Sequence, residues 1–353
     1  QAEDGIRDVE RSRGLGDVYK RQALISLAIF PIFIRKMLSI GKYGIDIHKK
    51  EQPKVAEMGG IVTLSAIIIS SVILILLIQD QSIKLEIMVF TITLTIAGII
   101  GIVDDIRPLG AITKPILLLF AALPIIISGY FTPQPVLPFV GKTRLTIVYY
   151  LLLPFVISVT SNAVNMIDVY NGSMASTTII ILICIFISNG IINGFQFTTL
   201  STTNIYILIM IAAAFSFWIF NRYPAKVFAG DTGSLIFGAS LGAIAVLGKL
   251  EIVVIIAMIP LIMNSFGIIS SVKGLKERRE IKVRPTSMTE DWKLQATRDS
   301  QAPITLAGLV LQKGPLREDD VVKAFNILVI ILSLIHISEP TRPLYISYAV
   351  FCL

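Results

Sequence analysis

Apolar runs long enough to cross a lipid bilayer recur from one end of this chain to the other, and they constrain its fold more than any other feature. Windows of about 20 residues pick out spans near 23–40, 59–78, 85–103, 115–129, 146–161, 174–188, 204–220, 233–248, 252–272 and 321–337. The composition agrees: 54% of the residues are hydrophobic and the mean hydropathy is +0.78, outside the soluble globular range. The expected fold class is an all-α polytopic membrane protein of about ten transmembrane helices, with both ends of the set on one side.

Lysine and arginine orient the set. Loops 35–58, 104–114, 162–172, 221–232 and 273–323 carry most of the loop cations, whereas the opposite loops hold only Lys84, Lys142, Arg144 and Lys249. The positive-inside rule makes the first group cytoplasmic. On that reading the +7 formal charge reports topology and phosphate ligands, and nucleic acid is not an expected partner. Cys184 and Cys352 support no disulfide framework. Both ends look foreign to the rest. QAEDGIRDVERSRGLGDVYKRQ (1–22) is polar yet abuts an apolar helix, and SLIHISEPTRPLYISYAVFCL (333–353) interrupts a span with Ser-Glu-Pro-Thr-Arg-Pro. Both strings resemble translated sequencing-adapter sequence, so the integral membrane domain is expected over 23–332.

The polar residues that matter sit in the cytoplasmic loops. GIVDDIRPLGAITK (101–114) ends an apolar span on Asp104 and Asp105. Acids at a helix C-terminus face the unfavourable end of the dipole, so helix stability does not explain them; a divalent cation or Lys114 would. In NAVNMIDVYNGS, Asn162, Asn165 and Asp168 recur every three residues and share roughly one helix face. Two amides and a carboxylate suit a hard cation such as Mg2+. Asn171-Gly172-Ser173 matches a glycosylation sequon, a reading that its cytoplasmic side excludes. In NRYPAKVFAGDTGSLIFG, Gly230 and Gly233 flank Asp231 at the start of a span, where small residues and a helix N-terminus suit phosphate. Phe228 could stack on a base or face lipid. Gly238 and Gly242 read as helix-packing positions. Asp319-Asp320 precedes an apolar helix and reads as a favourable cap, and His48 reads as an interfacial contact.

With the loop DIHKKEQPKVAEMGG (46–60) on the same side, four Asp- or Asn-rich elements meet at one membrane face. In order, PKVAEMGG, GIVDDIRPL, NAVNMIDVYNG and NRYPAKVFAGDTGS resemble the polyprenyl-phosphate N-acetylhexosamine-1-phosphate transferases, over about 40–330. The last cytoplasmic loop has no histidine, unlike bacterial members. Its KERREIKVRPTSMTEDWKL and ITLAGLVLQKGPLRED resemble the archaeal and eukaryotic dolichyl-phosphate N-acetylglucosamine phosphotransferase branch, apart from Trp292 where relatives often have glycine. Asp168 is nearer the bacterial muramoyl-pentapeptide pattern.

The resemblance implies a ten-helix transferase, often dimeric, with a cytoplasm-facing cleft. It would join polyprenyl or dolichyl phosphate to the β-phosphate of a UDP-N-acetylhexosamine and release UMP. It further implies Asn165 and Asp231 as ligands of Mg2+ (or Mn2+), and Asp104, Asp105, Asp168 and Lys114 as catalytic residues. Phe228 and Asn171 would contact uridine and Arg284 the sugar-phosphate end. Asn162, Glu57, Lys49 and Lys226 complete the expected substrate-binding set. A cation-coupled transporter is the competing class; it expects acids in mid-span, whereas these lie at span ends. A third reading keeps the fold and takes a muramoyl-pentapeptide donor.

Overall fold

The computed structural model describes residues 2–137, 141–193, 201–276 and 280–338. Helix α1 runs Ala2–Ser39 and leads into a short antiparallel hairpin, β1 (Tyr43–Ile45) and β2 (Lys54–Ala56). Helices α2 (Gly60–Leu77) and α3 (Gln81–Ile106) follow, then α4 (Thr113–Phe120) and α5 (Leu123–Ser128). A second small hairpin, β3 (Val136–Leu137) and β4 (Gly141–Lys142), precedes α6 (Thr146–Ile167), α7 (Ser173–Asn193), α8 (Thr202–Asn221) and α9 (Gly230–Leu247). The chain then forms α10 (Glu251–Ala257), α11 (Ile259–Ser271), the hairpin β5 (Thr286–Met288) and β6 (Leu294–Ala296), α12 (Leu306–Val310) and α13 (Glu318–Ser338).

Among the described residues seven helical stretches are long and apolar enough to cross a bilayer: Asp17–Ser39, α2, α3, α6, Ser173–Ile192 of α7, α8 and α9. An eighth appears if α10 and α11, bent by 63° at Met258, count as one broken span. Pro260 sits in the first turn of α11, where its missing N–H costs nothing. The remaining two expected spans are helical but differ in kind. Thr113–Ser128 is shorter and broken between α4 and α5, and α13 carries Glu318, Asp319 and Asp320 in its first turn. The chain is a helical, polytopic membrane protein. The expected foreign segment 333–353 lies outside the described residues from 339 onward.

Its packing is that of a membrane bundle. Side chains such as Leu76, Ile127 and Ile147 are more than three-quarters exposed, as expected of a surface that faces lipid. Some polar residues inside the spans satisfy themselves locally: the Thr91 and Thr160 hydroxyls donate to the Ile87 and Val156 carbonyls one turn back. The centre of the bundle is α9, buried from Thr232 through Leu247 and surrounded by α2, α3, α6 and α8. Lipid gives no hydrophobic drive for helix association, so close backbone approach through small residues must supply it. A Cβ on Gly238 would lie 2.4 Å from Ser161 Cα, and one on Gly242 2.6 Å from Thr160 Oγ1, so both are packing positions as expected. A Cβ on Gly60 would fall 2.1 Å from the Gly233 nitrogen, and one on Gly101 2.4 Å from Thr232 Cα. These two glycines bring α2 and α3 onto the first turn of α9.

The same end of α9 is held by the first hairpin. Ala56 pairs with Val227 in parallel, Phe228 N–H donates to Ala56 O (2.8 Å), and Gly59 and Gly60 N–H donate to Phe228 O and Ala229 O (2.9 Å each). The loops 40–59 and 221–230, distant in sequence, therefore form one frame around the N-terminus of α9.

Candidate active site

The site is built where α3 ends, α6 ends, α4 begins and α9 begins. Asp104 and Asp105 occupy the last turn of α3 and do different things. Both oxygens of Asp105 turn to α9: Oδ1 accepts from Asp231 N–H (2.7 Å), and Oδ2 accepts from Thr232 N–H (3.0 Å) and the Thr232 hydroxyl (2.6 Å). Asp105 is thus an N-cap supplied by another helix, at the favourable end of the α9 dipole. Gly230 permits this approach, with φ +69 and a would-be Cβ 2.6 Å from Asp105 Oδ2.

Asp104 is buried and meets the Asp231 side chain. It forms an ion pair with Lys114 and accepts from Leu109 N–H through Oδ1. Lys114, at the start of α4, also reaches Asp231 Oδ1 at 2.9 Å. Asn165, in the last turn of α6, donates through Nδ2 to Asp231 Oδ1 and to Ser234 Oγ (2.8 Å). Asp231 is therefore the hub that Lys114, Asn165 and the Asp105-capped turn share.

Asp168 lies one residue past α6. Among the described residues its carboxylate has no hydrogen-bond or ion-pair partner. Burial, then the negative charges of Asp231 and Asp105, push its carboxyl up to about 7. Glu57, on the neighbouring frame, is also raised, first by burial and then by Asp105, with Lys42 opposing.

Four carboxylates face one ammonium, which leaves an excess of negative charge that a hard cation would offset. The donor set fits one. Asn165 spends only its amide nitrogen on neighbours, Asp168 is unpartnered, and the remaining donors are carboxylate oxygens. Among the described His, Cys, Asp and Glu side chains only Asp46, His48 and Glu318 bring three ligand atoms within 4.8 Å of one another, so the aspartate site is no closed cage of such groups. An open set suits Mg2+, which keeps water and substrate phosphate in its shell, better than a closed protein cage does.

Of the sequence-predicted site residues, the fold joins Asp104, Asp105, Lys114, Asn165 and Asp231 by direct bonds, with Asp168 and Glu57 coupled by charge. Phe228 is half-buried beside this group: a Cβ on Gly44 would meet both Glu57 Oε1 (2.8 Å) and the Phe228 ring (3.2 Å). It therefore does not simply face lipid. Others stand apart. Asn162 turns back to donate to Ser158 O (2.8 Å) on its own helix, and Lys226 and Arg284 are exposed. Residues 277–279 of the KERREIKVRPTSMTEDWKL stretch lie outside the described residues. Lys49 and Asn171 join a separate cluster with Asp46 and Glu318. Sequence reasoning missed Thr232, Asp46 and Glu318. Thr232 sits in the quoted GDTGS run and could have been read there. The other two carry no local signal for this role: Glu318 reads as one of three acids in the first turn of a helix and Asp46 as a loop acid, and Asn171, which both bind, comes from a distant loop.

Comparison with known proteins places this geometry in a lineage. Residues 87–249 match the glycosyl transferase family 4 model. A Methanocaldococcus jannaschii protein named as a glycosyltransferase is 32% identical over 324 residues, covering 89% of this chain and 95% of that one. A Saccharolobus solfataricus protein named as a UDP-N-acetylglucosamine–dolichyl-phosphate N-acetylglucosaminephosphotransferase is 31% identical, over 63% of this chain and 67% of its own. The phospho-N-acetylmuramoyl-pentapeptide-transferase of Clostridium botulinum is also 31% identical, over 74% and 82%. The matched region contains the α3, α4, α6 and α9 residues that build the aspartate site, and the chain belongs to glycosyl transferase family 4.

Proposed function

We propose that this protein transfers N-acetylhexosamine-1-phosphate, specifically GlcNAc-1-phosphate, from a UDP-sugar to polyprenyl or dolichyl phosphate. An oxygen of the lipid phosphate attacks the β-phosphorus of the donor, the bond from that phosphorus to the bridging oxygen breaks, and UMP leaves. The product is a lipid-linked diphosphate sugar. The observation that carries this reading is the convergence of Asp104, Asp105, Asn165, Lys114 and Asp231 from four helix ends onto one bonded group. The reaction brings one phosphate anion against a diphosphate, so repulsion and positioning make up much of the barrier.

The residues divide the work. Asn165 and Asp231 would hold the divalent cation, Mg2+ or Mn2+, which when bound offsets phosphate charge. Lys114 binds a phosphate oxygen and offsets the charge of the adjoining Asp104 and Asp231 carboxylates. Asp105, with both oxygens on α9, holds the turn that carries Asp231. Asp168 is the carboxylate left to orient the lipid phosphate or take its proton. Phe228 and Glu57 line the donor side. The functional core spans 23–332 in ten membrane helices, with the site facing the cytoplasm and UDP-GlcNAc and lipid phosphate entering there. The choice of GlcNAc rests on the histidine-free last loop and on the archaeal relatives' names. The muramoyl-pentapeptide donor is the second reading, favoured by the Clostridium relative.

The test is UMP release by the purified protein with Mg2+, a polyprenyl phosphate and a panel of UDP-sugars. UDP-GlcNAc should be the best donor, EDTA should abolish turnover, and Asp231→Asn or Asp104→Asn should lower the rate at least 100-fold, about the loss seen when one key electrostatic group is removed. Full activity in EDTA, or in either variant, would remove these assignments.

A further inference from the structure

Helix α11 carries an amide that a membrane helix would not keep without partners. Asn264 is buried, with 6% of its surface exposed, and an unbonded amide is costly where lipid supplies neither donor nor acceptor. Both of its polar atoms are used. Nδ2 donates to Met166 O in the last turn of α6 (3.3 Å), and Oδ1 accepts from the N–H of Leu306, the first residue of α12 (2.8 Å). A backbone carbonyl only accepts and an N–H only donates, so a single orientation of the amide serves both.

Each partner needs what Asn264 gives. The last carbonyls of a helix have no donor within it. In α6, Asp168 N–H closes Asn165 O (3.2 Å) and Val169 N–H closes Ile167 O (2.9 Å), and Asn264 supplies the donor for Met166 O between them. At α12, the Thr305 hydroxyl accepts from Gly308 N–H (3.0 Å), and Asn264 takes the Leu306 N–H of the same turn. The same face of α11 continues the contact. A Cβ on Gly267 would lie 2.9 Å from Ile304 O, and Ser271 Oγ accepts from Ile304 N–H (3.0 Å). Asn264, Gly267 and Ser271 are three and four residues apart and so share one face, on which residues 304–306 lie.

The amide joins two parts of the site that the chain keeps far apart. Met166 follows Asn165, whose amide donates to Asp231 Oδ1 and Ser234 Oγ. Leu306 belongs to the last cytoplasmic loop, on which the choice of donor sugar rests in the transferase reading. We infer that Asn264 is a positioning residue: it locks the last cytoplasmic loop to the α6 turn that carries Asn165, so that one amide sets the loop and the expected metal ligand together. The effect on catalysis rests on the transferase reading above; the lock itself rests on the hydrogen bonds. A misplacement of about 1 Å in a reacting constellation can cost a factor of 100, so slack in this joint reaches the chemistry as well as stability.

Two variants separate the joint from its loop side. Asn264→Ala removes both bonds. Leu306→Pro removes only the loop-side N–H, at a first-turn position that tolerates proline and after a residue, Thr305, that is already extended (φ -124, ψ 157). On the purified full chain, amide hydrogen exchange reads the two segments, Mn2+ titration reads the cation site, and kcat for UMP release reads the reaction. Asn264→Ala should raise exchange at least tenfold over both 165–169 and 304–309, weaken Mn2+ binding at least threefold and lower kcat at least tenfold. Leu306→Pro should raise exchange over 304–309 only and lower kcat, with Mn2+ binding unchanged. Wild-type exchange over 165–169 in Asn264→Ala would overturn the inference, as would wild-type kcat in Leu306→Pro. So would a lower melting temperature in Asn264→Ala with Mn2+ binding and kcat per folded molecule unchanged, the pattern of a purely structural amide. If the wild type releases no UMP from any donor, the transferase reading fails; the exchange pattern needs neither donor nor metal and decides the lock by itself.

Discussion

At the residue scale, the paired acids at the end of α3 resolve into two unlike groups. Asp105 stands at the unfavourable end of its own helix dipole but at the favourable end of α9, where it accepts three hydrogen bonds. Asp104 pairs with Lys114, which it shares with Asp231. Asp168 is left with a carboxyl held up to about 7, against an ordinary value of 3.8. The folded protein therefore grips this proton more tightly than the unfolded chain, and the resulting stability is complete below about pH 4 and lost as pH rises to about 7. A cation at the site reverses the cost of ionising Asp168, and a ligand that binds only the folded state stabilises it. Saturating Mg2+ should therefore raise the melting temperature more at pH 8 than at pH 6, and Asp168→Asn should flatten that difference. An equal Mg2+ shift at both values, measured by thermal unfolding in detergent, would detach Asp168 from the cation. The pairing of Asp105 with α9 was not legible in the sequence. A DD dipeptide has the same letters whichever acid turns to which helix, and only the crossing of α3 on α9 decides.

At the element scale, the site depends on how closely helices approach the first turn of α9. Gly60 and Gly101 are the contact points, and neither backbone has room for a methyl group. Gly60→Ala should push α2 from α9 and cost about 1–3 kcal/mol, the usual range for forced overpacking. It should also shift the hairpin frame at Gly59 and Gly60 and lower the transfer rate. A Gly60→Ala protein with wild-type melting temperature and rate would show that the helices do not meet so tightly. Helix positions themselves were largely legible: each apolar run corresponds to a helix, because a segment in hydrocarbon has few other ways to satisfy its backbone. Lengths were less so. The run 115–129 breaks into α4 and α5, and 252–272 bends at Met258, since hydropathy averages over a window and is blind to kinks. Asn162 illustrates the same limit within one helix. Its three-residue spacing from Asn165 placed both on one face, yet one amide turns back to Ser158 and the other reaches Asp231.

At the scale of the whole molecule, the cation-rich loops and the aspartate site share one end of the bundle, the end that the charge bias predicts to be cytoplasmic. With native cysteines replaced, Lys50→Cys should resist a membrane-impermeant maleimide in intact cells and label once the membrane is opened. Lys249→Cys, also exposed, should label in intact cells; the opposite pattern would invert the topology and place the site outside. By itself the sequence determined that this chain is a helical membrane protein with acidic and amide groups gathered in the loops of one face. Hydropathy and charge bias are properties of composition along the chain and need no contacts to be read. Only the tertiary structure decided which acids stand together beside Lys114, which serves as a cap, and that Lys49, Asp46, Asn171 and Glu318 form a separate cluster. Those outcomes depend on pairs such as Asp105–Asp231 and Lys114–Asp231, 126 and 117 residues apart, brought within bonding distance by helices whose small residues let α2 and α3 close upon α9.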